Sequence, residues 1–154
     1  MSVEKVRAYL TRFGAEDRIR TFDVSSATVA LAAAALGVGE ARIAKTMAFS
    51  VDGAPVLVVA AGDRRVDNQK FKAAFSAKAK MLPPEQLETA VGYPMGGVCP
   101  FAVNDGCRVY LDASLRRFDV VYPAAGSADS AVELTVPELE RFSGFEAWVD
   151  VCKE

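Results

Sequence analysis

The sequence predicts one mixed α/β domain over residues 1–154, built around a mainly antiparallel or mixed sheet. Three observations predict it. Helical and extended patterns alternate along the 154 residues without a repeat, a low-complexity tract or a linker. Two strand patterns, Ala41 to Val51 and Pro55 to Ala61, flank Asp52-Gly53, a strong hairpin signal. The second of them, Val56-Leu-Val-Val-Ala-Ala, is apolar on both faces, as a strand central in its sheet must be.

Each element has a local reason. Apolar residues at 3, 6, 9, 10 and 13 give an amphipathic helix over Val3 to Phe13. A short strand follows at Arg20 to Val24. Ser25 and Ser26 are N-cap candidates for the alanine-rich helix of Ala27 to Leu36, which Gly37 ends. After the hairpin come a helix at Asn68 to Phe75, an extended piece at Ala79 to Leu82, and a helix opened by Pro83-Pro84 and reaching Val91. Strands are expected at Arg108 to Asp112, Phe118 to Pro123 and Ala131 to Val136, with a turn at Ala113 to Arg117. Thr135 and Glu138 have capping-box spacing for a helix to Phe142, and Glu146 to Val151 is the last strand.

Composition narrows the function. Hydrophobic residues make up 51% and charged residues 25%, the balance of a soluble globular protein. With no run of 18 apolar residues and no signal-peptide pattern after Met1, a cytoplasmic location without membrane contact is expected. A net charge of −2 argues against bulk electrostatic coating of nucleic acid. Between Arg64 and Lys80, however, six cations (including Arg64, Arg65, Lys70 and Lys72) face two anions, an excess that suits either a phosphate backbone or a solvated helix face. Three cysteines without CxxC spacing, in a chain without histidine, argue against a zinc site, and neither metal nor cofactor is expected. Any chemistry falls to backbone, lysine, carboxylate, hydroxyl or thiol.

Two features carry chemical information. Gly92-Tyr-Pro-Met-Gly-Gly-Val-Cys-Pro-Phe101 holds three glycines and two prolines in ten residues, a stiff loop whose N–H groups can hold a carbonyl, phosphate or oxyanion. Cys99 within it is either a small buried thiol or a reactive one. In the strand from Ile43, residues 43, 45, 47, 49 and 51 share one face, which should look into the core, and Lys45 is the polar exception among them. It either snorkels at the strand's entrance or lines a pocket for an anionic ligand, with Phe22 and Thr46 as neighbours.

Together, Ala44-Lys45-Thr46-Met47-Ala48-Phe49 and Gly96-Gly97-Val98-Cys99-Pro100-Phe101 resemble the YbaK/prolyl-tRNA-synthetase-associated family of editing domains. Ala61-Gly62-Asp63 with Val66-Asp67, Ala125-Gly126-Ser127 and Pro137-Glu138-Leu139 agree, so the resemblance runs over roughly residues 3 to 150. It implies a curved mixed sheet surrounded by helices, and hydrolysis, without a metal, of the ester joining a wrong amino acid to tRNA. Lys45 would correspond to the lysine that orients the tRNA 3′ end. Gly96 through Pro100 would be the G-x-x-x-P loop, with Gly96 and Gly97 holding the ester by their backbone and Val98 and Pro100 beside the substrate. Phe22, Thr46 and Ser130 would shape the amino-acid pocket. Several prolyl-editing relatives carry asparagine after the lysine and histidine near position 130. Thr46 instead resembles the Cys-tRNA(Pro) deacylase subgroup, in which the substrate thiol is proposed to attack its own ester. The resemblance therefore implies a trans-acting deacylase of mischarged tRNA, with tRNA(Pro) carrying cysteine, alanine or another small amino acid as the expected substrate and prolyl-tRNA synthetase as a possible partner. The alternative is a non-catalytic nucleotide or nucleic-acid binding module using the same pocket.

Overall fold

A computed structural model describes residues 2–154; Met1, which opens the N-terminal segment read above, lies outside them. Its centre is the hairpin of β2 (Ile43–Val51) and β3 (Ala54–Ala61). Their antiparallel register runs from Ala44↔Ala61 to Val51↔Ala54. The two turn residues Asp52 and Gly53 have φ of 52° and 79°, the left-handed pair that a two-residue hairpin with right-handed twist requires.

On the β3 side, β5 (Arg108–Asp112) and then β9 (Ala147–Val149) add in parallel. On the β2 side, β6 (Val120–Pro123) adds in parallel and β8 (Leu134–Thr135) antiparallel. The result is a mixed six-stranded sheet in the order β8-β6-β2-β3-β5-β9. Two short ribbons flank it: β1 (Ile19–Thr21) with β7 (Ser130–Val132), and β4 (Arg65–Val66) with β10 (Cys152–Lys153).

Among the described residues, five helices cover the sheet. Val6 and Leu10 of α1 (Ser2–Thr11), Leu87 of α4 (Pro84–Ala90), and Leu139 and Phe142 of α5 (Val136–Ser143) pack with Ala44, Ala48, Leu57, Val59 and Ala61 on one face. On the other face, Phe71 of α3 (Asn68–Phe75) packs with Phe49, Val51, Val56, Val58 and Ala60. Burial on both faces is why β3 lacks polar alternation. It also corrects the expectation for β2. The larger core lies against its small-residue face, Ala44 and Ala48, whereas the face holding Lys45, Phe49 and Val51 meets the smaller cluster under α3.

Other boundaries differ for identifiable reasons. The serines do not cap α2 (Val29–Leu36); Thr28 does, its hydroxyl accepting from the Leu31 N–H, and Gly37 closes the helix in the left-handed region as expected. The strand expected at 131–136 is split, because residues 130–132 pair with β1 and residues 134–135 pair with β6, with the Glu133 N–H turned to the Arg18 carbonyl between them. The last strand is likewise divided, the chain leaving β9 to pair with β4. Asp112, 1% exposed, holds that junction by accepting from the Val151 N–H at 2.9 Å. Thr135 and Glu138 form the expected capping box.

Phe71 is fully buried, with ring centroids 4.7 Å from Phe49 and 4.6 Å from Phe75. Phe71→Ala should therefore cost about 3–5 kcal/mol of stability in urea unfolding. A loss below about 1 kcal/mol would refute the packing described for that face.

Candidate active site

The site begins where β2 loses a neighbour. Along β2 the backbone groups of even-numbered residues point away from β3. Ala44 is taken up by β6, which pairs with β2 only at Ile43↔Tyr122 and Ala44↔Pro123. Ala48 and Ser50 are taken up by the 80–82 segment, through Leu82 N–H to Ala48 O (3.0 Å) and Ser50 N–H to Lys80 O (2.8 Å). Between these supports, the Thr46 N–H and carbonyl face an opening in the sheet. The Thr46 hydroxyl is also buried there with no hydrogen-bond partner among the described residues. Buried polar groups are normally paired, so the unpartnered Thr46 hydroxyl beside an open stretch of strand marks a candidate binding place.

A cavity of about 240 Å³ occupies the opening. Lys45, Thr46, Gly96, Val98 and Ser130 line it, as do Ser26 and Thr28 from the segment before α2. Met81 and Met95, 59% and 66% exposed, stand at its rim. Three loops distant in sequence thus meet across one strand. Glycine makes the meeting possible. A Cβ on Gly97 would lie 2.6 Å from the Gly126 carbonyl carbon and oxygen, and 2.7 Å from the Ser127 nitrogen. Gly96, at φ 88°, sits so close to Ala27 that a Cβ would come within 3.0 Å of the alanine methyl.

Lys45 is half-buried and donates from Nζ to the Arg64 carbonyl. Burial pushes its pKa below the ordinary lysine value, with the Cys152 sulfur and Asp63 opposing. The turn carrying Arg64 is clamped in place: Arg117 grips Asp63 with two hydrogen bonds, at 2.7 and 3.1 Å, and this hydrogen bonding is the main reason the Asp63 carboxyl is held below its usual value. Lys45 thus carries a positioned ammonium with only one of its three donors engaged by a named acceptor.

Of the residues singled out in the sequence, Lys45, Thr46, Gly96, Val98 and Ser130 converge on the cavity, while Phe22, Gly97 and Pro100 do not line it. Phe22 instead ties its N–H to the Asp129 carbonyl at 2.8 Å. Gly97 needs correcting as an ester-holding N–H, because that group donates to Pro94 O at 3.0 Å within the loop's own turn. Its place is the close approach to Gly126. Among the described residues, the Gly96 and Val98 N–H groups have no protein acceptor. Cys99 is fully buried and its thiol is pushed up to about 12 by that burial, the signature of an inert core thiol. The basic stretch divides. Arg64 pairs with Asp63 and Glu154, and Lys70 with Asp150, whereas Arg65 and Lys72 have no ion pair among the described residues.

Comparison with known proteins now has a geometry to meet. The sequence pattern of the aminoacyl-tRNA editing domain matches residues 23–142, which span the cavity and all three loops. The chain belongs to that family. Hydrolysis of aminoacyl-tRNA esters is the activity class of the editing domain. An uncharacterized protein of Bacillus subtilis, YwhH, is 46% identical over 100% of this chain and 99% of its own. A protein of Enterococcus faecalis named "Putative Cys-tRNA(Pro)/Cys-tRNA(Cys) deacylase EbsC" is 30% identical over 66% of this chain and 63% of its own. A crystal structure described as "a putative trans-editing enzyme for prolyl tRNA synthetase" superposes with a TM-score of 0.89 at 25% identity, over 99% of this chain and 98% of that one. Among the described residues, no helix is long and apolar enough to cross a membrane.

Sequence reading missed Ser26, Thr28, Met81 and Met95, which reach the cavity from loops whose pairing no local pattern reports. Two outcomes test the site's physics. Gly97→Ala should push the 126–127 backbone away, lower the melting temperature and depress ester hydrolysis; unchanged melting would contradict the close approach. Lys45→Met should stabilise the fold at pH 7. The folded-state pKa of Lys45 is lowered, so the unfolded chain binds the extra proton. The penalty is then full below the folded value and disappears as pH rises towards the unfolded one. The stability difference between variant and wild type should accordingly shrink between pH 7 and pH 10 in paired unfolding curves.

Proposed function

We propose that this protein is a trans-acting deacylase of mischarged tRNA, with tRNA(Pro) carrying cysteine, alanine or another small amino acid as its substrate. The observation that carries this reading is the open stretch at Thr46, where an unpartnered hydroxyl and the loop residues Gly96 and Val98, whose N–H groups have no protein acceptor among the described residues, line one cavity that Lys45 also borders. An aminoacyl ester presents the matching groups: a carbonyl to accept from N–H, an α-amino group to donate, and a phosphate one nucleotide unit away for Lys45. The names of the Enterococcus protein and of the trans-editing structure support cysteine and the prolyl system respectively.

The cavity-lining side chains include hydroxyls and one ammonium but no carboxylate, histidine or thiol. The chemistry is therefore one of placement. A carboxyl ester is already reactive, so fixing it beside a nucleophile and stabilising the developing oxyanion through the Gly96 and Val98 N–H groups accelerates its breakdown. The nucleophile is a water, a ribose hydroxyl or, for cysteine, the substrate's own thiol. Lys45 holds the 3′-terminal phosphate as a point charge. Prolyl-tRNA synthetase is the natural partner in this reading, and Arg65 and Lys72 remain the cations for the tRNA body.

The test is a deacylation panel of Cys-, Ala-, Ser- and Pro-charged tRNA(Pro). At least one mischarged species should be hydrolysed faster than Pro-tRNA(Pro). Lys45→Ala should reduce kcat/KM roughly 10- to 150-fold, the range for losing a hydrogen bond to a charged group. Full activity in Lys45→Ala, or no acceleration on any mischarged tRNA, would refute the assignment.

A further inference from the structure

Ser130 lines the cavity and is 2% exposed. Its Oγ lies 2.7 Å from the Ser127 Oγ and 3.3 Å from the Ser127 carbonyl oxygen. Ser127 Oγ in turn lies 2.7 Å from Asp129 Oδ1. A hydroxyl owns one proton and a carboxylate only accepts. Ser127 therefore gives its proton to Asp129 and offers Ser130 lone pairs alone. The proton of Ser130 must then go to Ser127, whether to its hydroxyl or to its carbonyl. What Ser130 keeps for the cavity is a lone pair.

We propose that Ser127 and Asp129 are positioning residues that fix the proton direction of Ser130, making it a hydrogen-bond acceptor and the cavity selective for an aminoacyl group that carries a donor. The inference rests on the deacylase reading and adds the polarity of the substrate to it. The loop is held for such a task. Gly97 packs on the Gly126–Ser127 backbone, and the Phe22 N–H donates to the Asp129 carbonyl at 2.8 Å. The Ser26 N–H donates to the Ala128 carbonyl and its hydroxyl to the Ser130 carbonyl, at 2.6 and 3.4 Å. A buried acceptor left unmet is costly, so a substrate without the donor is rejected. Thr46 does not impose this polarity, since its unpartnered hydroxyl can give or accept.

Two groups on the substrate can supply the donor, the α-amino group and a side-chain hydroxyl or thiol. The experiment separates them with one tRNA charged in four ways. Seryl against 2-aminobutyryl exchanges a hydroxyl for a methyl, and alanyl against propionyl exchanges the α-ammonium for a hydrogen. Both kcat and KM are measured for wild type, Asp129→Ala, Ser127→Ala and the double variant. Wild type should prefer the donor-bearing member of one pair by roughly tenfold, about what one hydrogen bond supplies, and the pair that shows it names the donor. In Asp129→Ala the Ser127 proton is free to turn towards Ser130, and the preference should fall to within about threefold. Ser127→Ala leaves the backbone carbonyl as the sole acceptor for Ser130, so it should keep the preference and restore it in the Asp129→Ala background. A merely structural role for the loop predicts the reverse order, with the double variant worst. Asp129 is exposed, and an unchanged melting temperature checks that its variant folds. Equal preference in wild type and Asp129→Ala, or none in wild type, overturns the proton relay while leaving the deacylase intact. A wild type inactive on all four esters, and on the mischarged panel, removes the deacylase reading and this inference with it.

Discussion

Everything at the site depends on β2 having a neighbour on its outer edge at both ends and none in between. A strand in the middle of a sheet spends its backbone groups on its partners, and nothing remains for a ligand. β2 spends those of Ala44 on β6 and those of Ala48 and Ser50 on the 80–82 segment, and keeps those of Thr46. Because β3 pairs along the whole length of β2, the gap is held open by a rigid ladder rather than by a flexible loop. That rigidity suits a site whose contribution is placement, where small errors in position translate directly into lost rate.

The three loops that close the gap are fixed by contacts too tight for side chains. Gly97 against Gly126 and Gly96 against Ala27 bring the loops together at the cavity's edge. Four of the polar side chains that line the cavity are short: Ser26, Thr28, Thr46 and Ser130. Lys45 is long, and its tether to the Arg64 carbonyl, supported by the Asp63–Arg117 pair, restrains the freedom that a lysine otherwise has.

Much of this was legible in the sequence, for local reasons. Asp52-Gly53 specifies its turn by backbone chirality, Thr135 and Glu138 specify their helix start by reciprocal hydrogen bonds, and Lys45 breaks an apolar period in a way that composition cannot hide. What was not legible is long-range. Nothing local says that residues 130–132 pair with β1 while 134–135 pair with β6, or that Met81 bridges to Phe49. The role of Gly97 was misjudged for the same reason. Its sequence context advertises a free N–H, but the Pro94 carbonyl takes it, and the residue's importance lies in a contact with a loop nearly thirty positions away. Sequence also could not rank the serines. Ser25 and Ser26 look like helix caps, and only the fold turns Ser26 toward Ser130.

The meeting of three remote loops has a consequence for how the protein reaches its working form. The β2–β3 hairpin is local, with its two strands joined by two residues, and such contacts close early in folding. The cavity wall instead joins residues 26–28, 46, 96, 98 and 130, which must be brought together across long stretches of chain. Forming the site thus demands more chain closure than forming the hairpin. A chain with only its central hairpin in place has no pocket for a substrate, because the cavity needs all of those segments together.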